Sequence, residues 1–207
     1  MVARTPTLTS ITGRSVRVEP LTLDHAAELR AAIAVPEVFA GGYGGGPAGL
    51  DQSPEGWQRF MQRLYPFAAG LPLAVRGVGG ADDGVLIGTT SFGGIDLARE
   101  SLHLGWTAYA PRVWGTSVNP ETKLLMLQLA FDHGFGRVKI QADARNARSR
   151  AAIAKLGATF EGIARREQQR ADGTWRDTAI FSILREEWPA IEAQLKSRVD
   201  ALLAPKN

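Results

Sequence analysis

The second half of the chain contains the stretch RVKIQADARNARSRAAIAKLGATFEG, residues 137–162, which predicts a strand followed by a helix. Residues 137–142 predict the strand. Asn146 is a favourable helix N-cap and Gly157 a favourable helix terminator, so the residues between them predict a short helix over 146–156. A strand followed directly by a helix is typical of folds that mix both kinds of element.

The residues that follow predict an antiparallel hairpin and a final helix. The two strands cover 159–170 and 174–184, and Asp172-Gly173 between them is a typical tight-turn pair. Trp188-Pro189 opens the last helix, which extends to about residue 204.

Upstream of residue 137 the sequence predicts a strand, a turn and a long helix. The strand covers 102–110 and is bounded by Pro111. Asn119-Pro120-Glu121 combines an N-cap, a Pro in the first turn and an early acid, and an apolar stripe continues to Gly134. A helix N-terminus has unpaired N–H groups and a partial positive charge, so the turn at 112–119 is the expected ligand site.

The N-terminal half predicts further elements around a glycine-rich segment. Residues 40–50, AGGYGGGPAGL, lack the Gly-Lys-Ser/Thr ending of a phosphate-binding P-loop, and we interpret them as a mobile connection. No repeat or linker divides the chain, so we expect one domain over 1–207 with its core at about 14–190. The remaining predicted elements are strands at 15–21, 71–78 and 85–92 and helices at about 24–34 and 53–69.

Composition narrows the class of protein. The 207 residues are 44% hydrophobic and 22% charged, as in ordinary globular domains. A net charge of +3, spread along the chain, is too small to indicate nucleic-acid binding but suits an anionic cofactor. The chain has no Cys, which excludes disulfides and a thiol nucleophile. There is no signal-peptide pattern and no long apolar run, so we expect a soluble cytoplasmic protein that does not bind membranes.

The turn RVWGTSVN, residues 112–119, allows two interpretations. Its small and polar residues permit close approach of a pyrophosphate to backbone N–H groups. Alternatively, Gly115 serves only the turn and Asn119 only caps the helix, as such residues often do.

This turn and the stretch from residue 137 resemble the GNAT superfamily of acetyl-CoA-dependent N-acetyltransferases. Arg112 and Gly115 match the family pattern Arg/Gln-x-x-Gly-x-Gly/Ala, whereas Ser117 stands where Gly or Ala is usual. The stretch from residue 137 resembles the branch that acetylates ribosomal-protein N-termini, and the similarity covers about 14–190. The matching positions are Asn146, Ser149, Leu156, Gly157, Glu161, Gly162, Asp177 and the pair Glu187-Trp188.

The resemblance implies an α/β fold with a central, mostly antiparallel, twisted sheet that splays at the acetyl-CoA site and is flanked by helices. It implies acetyl-CoA as co-substrate and a primary amine of a small molecule or peptide as acceptor, and it leaves a homodimer open. No cluster of His, Asp and Glu has metal-ligand spacing, so we expect no metal. The implied cofactor-binding residues are Trp106, Thr107, Arg112, Val113, Trp114, Gly115, Thr116, Ser117, Asn119, Asn146 and Ser149.

The resemblance also suggests residues that move protons. Ser149 is the candidate acid for the departing CoA sulfur, or else an ordinary serine at a helix start. His103 stands where related enzymes often have a Glu, and its unperturbed pKa would suit a base that titrates near pH 6 to 7; the alternative is a half-exposed strand residue. Gln168 replaces a Glu that is a candidate base in the ribosomal-protein enzymes, which leaves desolvation of the amine as another way to activate it.

Two aromatic residues could line the pocket that binds the acceptor. Tyr43 and Trp106 are candidates for the acceptor pocket, although such aromatics usually belong to the core.

The departures at Gln168 and Ser117 make a non-catalytic acyl-CoA sensor or structural subunit the main alternative to an enzyme. Transfer of a longer acyl group also stays open.

Overall fold

The computed structural model describes residues 2–204, in which eight strands form one open sheet with the order β1-β2-β3-β4-β5-β6-β8-β7. Each neighbouring pair of strands is antiparallel except β5 and β6, which are parallel. The strands are β1 (Ile11–Thr12), β2 (Val16–Pro20), β3 (Leu71–Gly77), β4 (Leu86–Asp96), β5 (Ser101–Tyr109), β6 (Arg137–Asp143), β7 (Thr159–Gln169) and β8 (Trp175–Leu184).

Six α-helices in the described residues flank the sheet, which confirms the predicted fold class. Strand β4, in the middle of the sheet, is buried without alternation from Leu86 to Gly93. Helix α1 packs against β4 and α3, and α4 packs against β2 and α6. The helices are α1 (Ala26–Ile33), α2 (Pro36–Phe39), α3 (Pro54–Leu64), α4 (Val118–Asp132), α5 (Ala147–Ala154) and α6 (Trp188–Leu203).

Two predicted helix boundaries are wrong. Helix α3 ends at Leu64 rather than near residue 69, because Tyr65 precedes Pro66 and adopts extended backbone with ψ 144°. Ser117 occupies the N-cap position of helix α4, without a capping hydrogen bond from its side chain, so Asn119 lies inside the first turn and is not the N-cap. Pro120 is tolerated in that turn because its missing N–H would have had no partner within the helix.

The glycine-rich segment is not a free connection, contrary to its interpretation from sequence. The N–H of Ala171, at the tip of the β7–β8 hairpin, donates to the Gly45 carbonyl over 3.0 Å. Asn146 Nδ2 donates to the Gly41 carbonyl over 2.6 Å. The segment also needs glycine at Gly44, where φ is +59° and a Cβ would lie 2.6 Å from the Phe60 ring. Its glycines thus shape a segment that is tied to the hairpin and to α5.

Candidate active site

The parallel strands β5 and β6 separate after a short pairing. Their register joins Ser101–His103 to Arg137–Lys139 and goes no further, although β5 continues to Tyr109 and β6 to Asp143. An opening therefore lies between two neighbouring strands of one sheet.

A β-bulge in β5 accompanies this separation. The register between β4 and β5 shifts so that Trp106 and Thr107 together oppose the single residue Thr90. Trp106 has a positive φ of +51°, which is unusual for a residue with a side chain. The bulge redirects Trp106 and Thr107 towards the opening.

A cavity of about 260 Å³, the turn cavity, lies between this part of β5, the turn at 112–119 and helix α5. Gly115 has a φ of +78°, and no atom lies within 4 Å of the place where its Cβ would be. Space for a ligand thus exists beside the turn. The predicted cofactor-binding residues that line this cavity are Trp106, Thr107, Val113, Trp114, Gly115, Asn119, Asn146 and Ser149.

Three predicted cofactor-binding side chains make other contacts. The Arg112 guanidinium forms an ion pair with Asp82 at 2.9 Å. The Thr116 hydroxyl donates to the Val113 carbonyl over 2.7 Å, and the hydroxyls of Ser117 and Ser15 lie 2.9 Å apart. Thr116 and Ser117 would therefore contact a ligand through backbone atoms.

Sequence reasoning missed a cation of the turn cavity, Arg148. Its guanidinium carbon lies 3.6 Å from the centroid of the Trp114 ring, in cation–π geometry. The Trp114 indole N–H in turn donates to the Tyr109 carbonyl over 2.9 Å, which fixes the ring. An exposed cation held at this place suits a phosphate-bearing ligand.

Asn146 and Ser149 begin helix α5 next to the opening. Asn146 Oδ1 accepts a hydrogen bond from the Ser149 N–H over 2.9 Å, so Asn146 is the N-cap that the sequence predicts. Because its Nδ2 donates to the Gly41 carbonyl, both polar atoms of the Asn146 amide have a hydrogen-bond partner within the protein. Ser149 lines the turn cavity and also the second cavity described next.

The second cavity, of about 730 Å³, is the hairpin cavity, since the β7–β8 hairpin and the glycine-rich segment enclose it. It meets the turn cavity where β5 and β6 part. The residues that line both are Tyr43, Gly105, Trp106, Thr107, Gln141, Asn146 and Ser149. A group bound in one cavity can therefore reach a group bound in the other.

The two predicted acceptor-pocket aromatics lie at this junction. The Tyr43 hydroxyl is hydrogen-bonded to that of Tyr65, and the Tyr43 ring packs edge-on against Phe39 with centroids 5.5 Å apart. Trp106 packs on His103, with ring centroids 4.9 Å apart. Both aromatics thus combine packing contacts with a place in the cavity wall.

His103 lines the hairpin cavity, and its imidazole lies over Gly105, where a Cβ would come within 2.6 Å of Nε2. Within residues 2–204, the buried Nε2 has no hydrogen-bond partner. Burial lowers the pKa of His103 to about 3, with smaller effects from the charges of Lys139, Lys123 and Arg176. The unperturbed pKa assumed from sequence is therefore wrong for this site, and the imidazole is neutral at physiological pH.

Lys123 is a second residue that sequence reasoning missed. It is buried in α4, lines the turn cavity, and donates from Nζ to the hydroxyls of Thr107 over 2.6 Å and Thr90 over 3.1 Å. These threonines face each other across the β5 bulge. Burial lowers the pKa of Lys123 to about 7. The available signal was its spacing, three and four residues before Met126 and Leu127 on a buried helix face.

A match to a family model agrees with this arrangement. The model of the acetyltransferase (GNAT) domain matches residues 15–159. The chain belongs to the GNAT acetyltransferase family. It is therefore an N-acetyltransferase, as the motifs predicted. No protein with a curated description matches the chain.

Solved structures support the same assignment. A protein from T. thermophilus assigned as an acetyltransferase is 30% identical, with a TM-score of 0.82 over 93% of this chain and 98% of that one. RimJ of Mycobacterium smegmatis, solved with CoA-disulfide, is 19% identical, with a TM-score of 0.75 over 94% and 97%. The ribosomal-protein-S5-alanine acetyltransferase of Vibrio fischeri is 20% identical, with a TM-score of 0.65 over 86% and 98%. The last two share the fold with this chain.

The part of the chain that the structure describes has neither a metal-binding cluster nor a membrane-spanning helix. No group of three or more His, Cys, Asp or Glu residues is arranged to hold a metal ion. No helix has the length and apolar character needed to cross a membrane.

Replacing Lys123 by Met should weaken the pH dependence of stability. Lys123 has a pKa of about 7 in the folded protein, against about 10.4 in an unfolded chain. Unfolding takes up a proton between these values, so Lys123 makes the free energy of unfolding rise with pH by up to about 1.4 kcal/mol per pH unit. Urea unfolding from about pH 7 to about pH 9 measures this slope.

The matched control is Lys155→Met, which removes an exposed lysine at the C-cap of α5. It should keep the wild-type slope. Equal slopes in wild type and Lys123→Met would show that Lys123 is fully protonated in the folded protein throughout this range.

Proposed function

We propose that this chain transfers an acetyl group from acetyl-CoA to a primary amine. The observation that carries the proposal is the junction of two cavities at the separation of β5 from β6. The turn cavity would hold the pantetheine arm and phosphates, and the hairpin cavity the amine. The CoA-disulfide bound to RimJ, which shares this fold, supports CoA as the carrier.

The reaction needs a neutral amine, a polarised carbonyl and a proton for the thiolate. The amine nitrogen attacks the thioester carbon, so that a C–N bond forms and the C–S bond breaks. Backbone N–H groups of Trp106 and Thr107 would polarise the carbonyl, since the bulge places these residues at the junction. Ser149, which lines both cavities, would give the thiolate its proton and would recover one from the amine nitrogen, which loses a proton as the amide forms.

His103 would bind the amine as a neutral hydrogen-bond acceptor. One nitrogen of a neutral imidazole accepts hydrogen bonds, and Nε2 of His103 is buried without a partner among the described residues. A base with a pKa of about 3 removes few protons from an ammonium at neutral pH. The acceptor would therefore lose its proton according to its own pKa, lowered by the dry cavity.

Acetyl-CoA should stabilise the protein, and Gly115→Val should abolish the effect. A ligand that binds only the folded state adds about 2.7 kcal/mol at a hundredfold excess over Kd. Valine would project a branched side chain into the free space beside the turn and would strain a φ of +78°. Thermal unfolding with and without acetyl-CoA measures both effects.

Gly173→Val, at the hairpin tip, is the control for strain alone, because its φ of +82° is similar and its Cβ position is also open. It should keep the acetyl-CoA response. A wild-type midpoint unmoved by millimolar acetyl-CoA would remove the proposed carrier.

Ser149→Ala should lower kcat by about tenfold to a hundredfold with little change in the KM of the amine, because the bond to sulfur strengthens only as negative charge develops. Release of free thiol from acetyl-CoA, dependent on added amine, measures this. Ser197→Ala, on the exposed side of α6, is the control and should match the wild type. An unchanged kcat for Ser149→Ala would assign the proton to another donor.

His103→Ala should lower kcat/KM for the amine by about tenfold or more while acetyl-CoA still stabilises the protein. In both proteins the rate at limiting amine should follow the pKa of the acceptor itself, because the imidazole is already neutral. A step near pH 6.5 that vanishes in His103→Ala would instead show that His103 titrates and acts as the base.

A further inference from the structure

The charged residues around the hairpin cavity are mostly cationic. Three arginines line it, Arg63, Arg170 and Arg176, against two carboxylates, Asp51 and Asp143. Asp143 is bound to Arg170 at 2.7 Å, and only 7% and 10% of the two side chains are exposed. That pair is neutral as a unit. Asp51 is exposed and accepts hydrogen bonds from the N–H and hydroxyl of Ser53.

Arg176 remains without a carboxylate partner. None of the residues from 2 to 204 forms an ion pair with it. Two carboxylates act on its pKa, Asp143 and Glu167. Asp143 is already paired with Arg170, and Glu167 does not line the cavity. Its Nη1 donates to the neutral Gln168 Oε1 over 3.2 Å, and its buried Nε has no partner within the same residues. Burial lowers its pKa. A guanidinium in this state is suited to a bidentate contact with an anion.

The same cavity contains unused acceptors. Gln141 Oε1 and His103 Nε2 are both buried without partners in the described chain. Gln141 lines both cavities, so its oxygen lies near the place where an amine would meet the thioester. Arg176 and His103 line the same cavity, and the Arg176 charge contributes slightly to lowering the pKa of that imidazole. The hairpin cavity thus offers a cation and two hydrogen-bond acceptors for an amine, and one of these acceptors, Gln141, also lines the turn cavity.

We infer that the acceptor is a small amino carboxylic acid, whose carboxylate binds Arg176 while its amine binds His103 and Gln141. The inference rests on the proposed function and adds the class of substrate. A cavity of about 730 Å³ fits a small molecule. Polyamines and other polycations fit poorly, because Arg63 and Arg176 would repel them.

Matched acceptors test this inference on the wild-type protein. Amino carboxylic acids with increasing distance between amine and carboxylate, from leucine to 6-aminohexanoate, are compared with isoamylamine and hexylamine in thiol release from acetyl-CoA. Rates are expressed per neutral amine, so that differences in basicity cancel. We expect at least one amino acid to exceed its plain amine about tenfold or more in kcat/KM. Plain amines or spermidine reacting as well as every amino acid would overturn the inference and leave the acetyltransferase function intact.

Two variants locate the carboxylate contact. Arg176→Gln removes the cation, and Gln168→Glu supplies the guanidinium with an internal carboxylate at hydrogen-bond distance. Each should reduce the preference for the amino acid over its plain amine by about tenfold. Arg165→Gln removes a charge from the same hairpin outside the cavity and should keep the wild-type preference. A preference unchanged in both cavity variants would place the carboxylate elsewhere and refute the role of Arg176.

A binding measurement separates failure of the inference from failure of the proposed function. In the presence of CoA, the amino acid preferred in the assay, or each member of the series if none reacts, should raise the thermal midpoint more than its plain amine does. The added shift should be lost in Arg176→Gln, while the shift caused by CoA alone persists and shows that the variant is folded. Thiol release absent with all acceptors would contradict the proposed function, whereas equal shifts from amino acids and plain amines would contradict the carboxylate site.

Discussion

The early separation of β5 from β6 is the constraint on which both cavities depend. The strands are paired only as far as His103 and Lys139, whereas β6 stays paired with β8 as far as Asp143, and β5 has its bulge at Trp106 and Thr107, beyond the last residue paired with β6. Once two neighbouring strands part, the sheet itself provides an opening lined by backbone. The turn, helix α5 and the hairpin enclose the two ends of this opening, so the two cavities meet within it.

Burial at this opening has one electrostatic consequence for three different side chains. His103, Lys123 and Arg176 all have lowered pKa values, and desolvation is the largest cause for each. The same low dielectric that makes a charge costly for the free protein strengthens its attraction to an opposite charge in a ligand. His103, with a pKa of about 3, is therefore a weak base. In the proposed reaction its part would be hydrogen bonding to the amine rather than proton abstraction.

Local signals account for what the sequence could predict. The Asn146 cap, the Asp172-Gly173 turn and the match at Gly115 each depend on a few neighbouring residues, and all lie where they were expected. Two other contacts join segments that are far apart in the chain, namely Lys123 with Thr90 and Asp143 with Arg170. No local sequence pattern predicts such contacts. The glycine-rich segment was misread for the same reason, since the partners that fix it, at Asn146 and Ala171, belong to distant elements.

Gln168 is where the chain departs from the ribosomal-protein enzymes that it resembles, and the structure gives this departure a physical meaning. A carboxylate at residue 168 would lie beside the Arg176 guanidinium and neutralise it. The Gln168 amide carries no charge, so the Arg176 guanidinium has no counter-ion at this position. The change that removes a candidate base from the hairpin therefore also leaves Arg176 without a carboxylate partner in the hairpin cavity. If the acceptor is an amino carboxylic acid, as we propose, the single residue Gln168 would account both for the missing base and for the preference for amines that carry an anion.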